Sequence, residues 1–443
     1  MKIKPTSETA KSASKVSSRS HLGEHVPQLR FPGFNGEWNC LKLNDFAERV
    51  TRKNGSTSDI PLTISAQHGL IDQRTFFSKA VASADMSGYY LLKNGEFAYN
   101  RSSSGEFPFG SIKRLDQYKA GAVSTLYICF GLRDQSPVSD FIKWYFDSSK
   151  WHREAGLICA EGARNHGLLN VPTVGFFNTV HHIPVNKDEQ EKIAVFLSLV
   201  DRRLTAQRRL VELLKKHKRG LVQDLFTGEL SKLPRRRFGG FKDAWISRSF
   251  DEVFSFLKNN TLPRSEMTTV GGIIRNVHYG DVLIKYGDVL DCNRDQIPFL
   301  VSDKQSDDYR LLQDGDVVIA DTAEDEAVGK TVELVGVANK LIESGLHTIA
   351  CRPTISFAPR FLGYYLNSTA YRRQLLPLMQ GIKVLSLSKS QLGKTQLLFP
   401  PDINEQKRIA ELLTGIDAHI AMAQSHLDKM QSLKTGFLQQ LFV

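Results

Sequence analysis

The sequence predicts an α+β protein built as an internal duplication. Two globular segments are separated by two long helices, each carrying the seam of a coiled coil. Three observations predict this. Residues 184–226 recur as 400–442 without a gap. Both copies place apolar residues at alternating spacings of four and three. A short aromatic lead-in, Phe31, Phe34 and Trp38, recurs as Phe238, Phe241 and Trp245.

The repeated helix is the organising element. Glu189, Gln190, Ile193, Ala194, Leu197, Asp201, Lys218, Gly220, Gln223, Leu225 and Phe226 return as Glu405, Gln406, Ile409, Ala410, Leu413, Asp417, Lys434, Gly436, Gln439, Leu441 and Phe442. The first seam is Ile193, Leu197, Val200, Leu204, Val211, Leu214, Leu221 and Leu225, interrupted by Gln207 and Lys218. The second is Ile409, Leu413, Ile416, Ile420, Leu427, Met430, Phe437 and Leu441, interrupted by Ala423 and Lys434. A repeat of 3.5 residues buries one narrow stripe against a partner helix. At about 35–40 residues, or roughly 55 Å, each helix is longer than an ordinary core helix needs to be. Asp188 and Asn404 are the N-cap candidates, and the Glu-Gln that follows suits the positive helix end.

The remainder of the chain falls in order around these helices. Residues 1–27 are rich in Ser, Lys and Thr with few bulky apolar groups, the composition of a disordered tail. Residues 28–185 form the first globular domain, 186–226 the first helix and 227–237 a linker with Gly, Pro and a basic run. Residues 238–400 form the second domain and 401–443 the second helix. Strands are expected at 60–65, 95–100, 122–130, 282–290, 315–320 and 331–337, and helices at 138–151 and 360–376. The strands do not alternate with helices as in a parallel βαβ sheet.

Composition bounds the function. The 443 residues include 41% hydrophobic and 24% charged, which is globular, and no apolar run is long enough to span a membrane. The five scattered cysteines form no CxxC pair, and no apolar h-region follows the N-terminal lysines, so a reducing cytoplasm is expected and a zinc site is not. A net charge of +11 favours a polyanionic partner, most often nucleic acid.

Catalytic patterns fail on inspection. Val328-Gly329-Lys330-Thr331 ends like a phosphate loop, but its first glycine position is Glu324, which would repel phosphate. Asp402, Glu405 and Lys407 superficially resemble a metal-nuclease set, yet they crowd into one helical turn, where capping explains them better. His181-His182 has no acid or cysteine at ligand spacing along the chain. Nothing matches a nucleophile elbow, a zincin helix or a dinucleotide fingerprint.

The duplicated lead-in, variable segment and Glu-Gln helix, in that order, resemble the specificity subunit of a type I restriction-modification system. The resemblance is carried by 29–34 and Trp38, 93–100, 118–127, 160–164, the helix starts at 189 and 405, Gly345-Leu346-His347-Thr348 and 381–386. It covers nearly the whole chain except the first 27 residues.

The resemblance implies two target recognition domains, each reading half of a bipartite DNA site. It implies that the two long helices pair as an antiparallel coiled coil, which gives the duplicated chain pseudo-two-fold symmetry and fixes the unread gap. It implies docking of two methyltransferase subunits carrying S-adenosylmethionine, and of restriction-translocase subunits carrying ATP and magnesium. This chain itself would bind no cofactor or metal and catalyse nothing. If about 30 residues separate the domain attachments, the span is ~45 Å, and the gap roughly five to eight base pairs.

Phosphate contacts would supply affinity and a few polar side chains the base choice. The candidate DNA-binding residues in the first domain are Arg52, Lys53, Asn100, Arg101, Ser102, Arg164, Asn165 and His166. In the second they are Arg264, Arg275, Asn276, Lys383, Ser386 and Ser388. Arg and Asn are favoured because their paired donor or donor-acceptor ends match guanine and adenine edges. A basic cluster on the first helix (Arg202, Arg203, Arg208, Arg209, Lys215, Lys216, Lys218, Arg219) is either a solvated face or a surface for DNA or an acidic partner. Two other classes remain open: a coiled-coil adaptor whose domains bind protein, and a stand-alone nuclease.

Overall fold

The computed structural model describes residues 25–65, 69–76, 83, 85–105, 107–159, 169–227, 233–301 and 311–443. Most of the expected N-terminal tail (1–24) and part of the linker (228–232) lie outside the described residues. The chain divides into two compact units, residues 1–206 with 427–443, and residues 207–426. Both boundaries fall inside long helices, Lys187–Leu225 and Ile403–Gln440.

In the first unit an antiparallel four-stranded sheet is ordered Ala47–Arg49, Ile128–Leu132, Phe97–Asn100, Ser111–Arg114. The run expected as one strand at 122–130 is two, Ala120–Val123 and Ile128–Leu132, because Tyr127 N donates to Ser124 O and turns the chain. The expected helix at 138–151 is Ser139–Asp147, followed by His152–Ile158. In the second unit a five-stranded sheet runs Phe254–Phe256, Thr348–Pro353, Val317–Ala320, Thr331–Val335, Val289–Asp291. There the expected strand at 282–290 is a correction: Tyr279–Ile284 is helical and only Val289–Asp291 is strand. His278 caps that helix, its Nδ1 accepting from Gly280 N at 3.2 Å, which outweighs the β-branched content of the run.

Each globular segment is tied shut next to its long helix. A two-stranded antiparallel ribbon joins Asn39–Lys42 to Val180–Ile183, and another joins Ile246–Ser249 to Gln396–Phe399. The lead-in is then clamped to the helix start by a buried ion pair. Arg30 Nε and Nη2 each donate to Glu189 at 2.8 Å, and Arg237 holds Glu405 at 2.7 and 2.8 Å. The glutamates are only 2% and 1% exposed. Gln190 donates to Pro184 O and accepts from Val138 N, while Gln406 donates to Pro400 O and accepts from Ala358 N.

The Glu-Gln pair lies in the first helical turn as expected, and its side chains also fasten the helix to its domain. The caps are corrected, lying two residues before those expected. Asn186 Oδ1 accepts from Asp188 N, and Asp402 Oδ1 from Asn404 N, each at 2.8 Å. Arg237, assigned to the linker by its basic run, belongs structurally to the second lead-in.

Within each unit a piece of the other long helix completes the core. In the first unit Phe196 meets Phe437 at 4.9 Å and Lys434 bonds Asp201, so rising numbers on one helix face falling numbers on the other. In the second unit Lys218 bonds Asp417 at 2.6 Å, and Gln207 Nε2 donates to Ala423 O at 2.9 Å, with the same antiparallel sense. All sixteen seam residues are buried or half-buried, while Val195, Leu199, Leu213, Met422 and Leu433, off the seam, are exposed.

Phe442, at the end of the second helix, packs in the first unit on Trp38, Phe141 and Tyr145. Phe226, at the end of the first, packs in the second unit on Phe361 and Tyr365. Phe442→Ala is expected to destabilise the first unit by about 3–5 kcal/mol. Hydrogen exchange should show lost protection around Trp38 and Phe141 and none around Phe361.

Candidate nucleic-acid interface

The basic residues of the first domain sit on a scaffold that already uses several of them. Arg52 pairs with Glu96, and Lys53 donates to Gly88 O at 2.9 Å with its ammonium 4.7 Å from the Tyr90 ring centroid. Arg101 donates to Leu126 O through Nε and Nη2 and to Val171 O through Nη1. Its guanidinium closes a loop, so Arg101 reads first as a structural residue. Asn100 Oδ1 accepts from Ser102 N at 3.1 Å, and this turn leaves Ser102 exposed. Arg164, Asn165 and His166 lie outside the described residues.

In the second domain the structure separates the candidates into two places. Arg264 pairs with Asp281, and Arg275 stacks over Phe299 at 5.1 Å while donating to Cys292 O. Asn276 is a correction: it is fully buried in Ile274–Val277, so no duplex edge can reach it in this conformation. Strand alternation turns Arg275 outward and its neighbour inward.

Lys383 and Ser386 lie on one hairpin, and Ser388 follows it. Gln380 and Ser386 exchange backbone hydrogen bonds at 3.0 and 2.8 Å, and Ser386 also pairs with Thr322. Gly381 turns the hairpin at φ +127°, where a Cβ would lie 1.9 Å from Val384 O, so only glycine fits. The tip it creates carries Ile382, fully exposed, with Lys383 and Val384 beside it. Ser388 is not free for recognition: it caps Lys389–Gly393 in a capping box with Gln391.

Sequence reasoning missed the polar groups behind this hairpin. His347, at a left-handed φ of 53°, approaches Asp321 and Thr322 at 3.4 Å, and Asp321 O accepts from Leu387 N at 2.8 Å. Tyr279 lies edge-on to His347 at 5.3 Å. A non-glycine residue held in the left-handed region marks a place where the surroundings dictate the backbone. The Gly345–Thr348 stretch was the available signal.

On the first long helix the basic cluster splits. Arg202, Arg203, Arg208, Arg209, Lys216 and Arg219 are exposed. Lys218 turns inward between Asp288 and Asp417, each at 2.6 Å. Burial pulls its ammonium down, but the two carboxylates outweigh that and hold it above its ordinary range.

The fold is shared with solved structures. A solved structure from work on complex assembly and conformational transition of the type I restriction-modification system matches with a TM-score of 0.55 at 17% identity, over 94% of this chain and 99% of that one. The S subunit of a type I restriction-modification system from M. genitalium matches with a TM-score of 0.51 at 14% identity, over 94% and 99%. The chain has the fold of a type I specificity subunit.

Sequence comparison agrees over a shorter span. A protein of Methanocaldococcus jannaschii, described as the specificity subunit of the type I restriction enzyme MjaX, is 22% identical over 214 residues. That match covers 47% of this chain and about half (48%) of the relative's length. No protein-family model matches the chain. No helix among the described residues is long and apolar enough to cross a membrane.

Among the candidates, the 380–386 hairpin is exposed while Arg101, Arg264 and Arg275 are engaged by the protein itself. Lys383→Ala is expected to reduce the slope of log affinity against log salt for duplex DNA by about one, leaving stability unchanged. Ser388→Ala should instead cost about 1 kcal/mol of stability through the lost cap. A salt series and a urea titration separate the two.

Proposed function

We propose that this chain is the sequence-reading subunit of a type I restriction-modification complex. The observation that carries the reading is the match of the fold, over 94% of the chain, to a specificity subunit of a type I restriction-modification system. Each domain would read one half-site. The two long helices would form the antiparallel coiled coil of a pseudo-two-fold, duplicated chain that sets the unread gap. A rigid helix pair works as a ruler because its length cannot adjust to a changed spacing.

The recurrence of each clamp supports the duplication. Arg30–Glu189 has its counterpart in Arg237–Glu405, Asp201–Lys434 in Lys218–Asp417, and Phe442 in Phe226. On this reading the chain is not itself an enzyme and needs no cofactor for DNA recognition. Two methyltransferase subunits would bring S-adenosylmethionine, and restriction subunits ATP and magnesium. The methyltransferases would dock where the off-seam apolar residues of the helices remain exposed.

The test is selection from a random duplex pool by the chain co-expressed with its neighbouring methyltransferase. A split motif with a fixed gap is expected, and a chimera exchanging 38–185 with a relative's first domain should change one half-site only. Salt-sensitive binding with no motif would instead leave an adaptor or scaffold. One heptad inserted into both helices should lengthen the preferred gap with both half-sites kept; binding lost at every gap length would refute the ruler.

A further inference from the structure

A cluster in the first unit stands apart from the recognition surface. Alternation along Val180–Ile183 divides two consecutive histidines between opposite faces. His181 points into the aromatic core, bonding Thr179 at 2.8 Å and Tyr145 at 3.1 Å. His182 points the other way, directly across the ribbon from Cys40, its register partner. His25 completes the group from the lead-in. Its carbonyl accepts from Trp38 N at 2.9 Å, and its ring stacks on that of His182 with centroids 4.5 Å apart.

We propose that His25, Cys40 and His182 form a binding site for Zn²⁺ that staples the N-terminal lead-in to the ribbon. Their three ligand atoms lie within 4.8 Å of one another. Zinc bonds of about 2.0–2.3 Å in a tetrahedral shell put donor atoms roughly 3.3–3.8 Å apart. The group must close by about 1 Å, which side-chain rotation can supply where Cys40 is exposed and both histidines are only half-buried. The donor set selects the metal. One thiolate and two imidazoles suit zinc and its borderline neighbours, and offer nothing to magnesium or calcium, which take oxygen.

A second observation points the same way. His25 Nδ1 is buried without a hydrogen-bond partner, as a ring arranged for some further ligand would be. On binding, the Cys40 thiol gives its proton to solvent and the thiolate takes the metal. Exposure of Cys40 leaves the fourth position open to water. No sequence motif announces the site, because its ligands come from three separate stretches that only the ribbon and the lead-in bring together. The proposal is independent of the DNA-reading role.

The full chain, reduced and stripped with chelator, would be titrated with Co²⁺ and then Zn²⁺. One Co²⁺ per chain is expected, with a near-ultraviolet sulfur-to-cobalt charge-transfer band that Zn²⁺ abolishes. Cys40→Ser should remove the band, and His25→Gln and His182→Gln should each weaken binding roughly ten-fold or more. Cys159→Ser, at the other incompletely buried thiol, should change nothing. Retention of the band in Cys40→Ser, or no stoichiometric binding by the wild type, would overturn the site. X-ray absorption of the zinc-loaded wild type needs no variant: one sulfur with imidazole nitrogens supports the proposal, and a shell lacking sulfur refutes it.

Discussion

The buried ion pair at the start of each long helix is the constraint from which the rest follows. A carboxylate as enclosed as Glu189 or Glu405 is costly unless its arginine is present, so the lead-in and the helix start must fold together. The neighbouring glutamines add bonds to the ribbon end and to the domain body. Helix direction is thereby fixed against each domain independently of the seam.

The seam interruptions have a related use. Gln207 meets the backbone of Ala423, and Lys218 and Lys434 meet Asp417 and Asp201. Each lysine also lies over an aromatic ring of its unit, Tyr364 at 5.1 Å and Trp144 at 4.8 Å. A slip of one heptad would leave these polar groups without partners, whereas an all-leucine seam would tolerate it. Polar seam positions specify register at some loss of stability.

Positive charge is less available than composition suggests. Arg101, Arg264, Lys218 and Arg237 are committed to carbonyls or carboxylates that hold loops and helices in place. A net charge of +11 therefore describes a reservoir partly consumed by architecture. The glycine-turned hairpin at 380–386 and the exposed arginines of the first helix keep their charge facing solvent.

The sequence by itself determined the elements governed by short-range periodicity. The two long helices, their seams, the interrupting residues and the paired lead-ins were legible because a 3.5-residue repeat and a doubled motif are local patterns. It did not determine which bonds the repeated Glu-Gln makes, since Arg30 and Arg237 lie some 160 residues away along the chain. Nor did it reveal that Asn276 is inside, that Ser388 is a cap, or that 282–290 is part helix. Those outcomes rest on burial and on backbone partners supplied by distant strands. The gathering of His25, Cys40 and His182 is the plainest case: spacing along the chain excluded it, and pairing across a two-stranded ribbon created it.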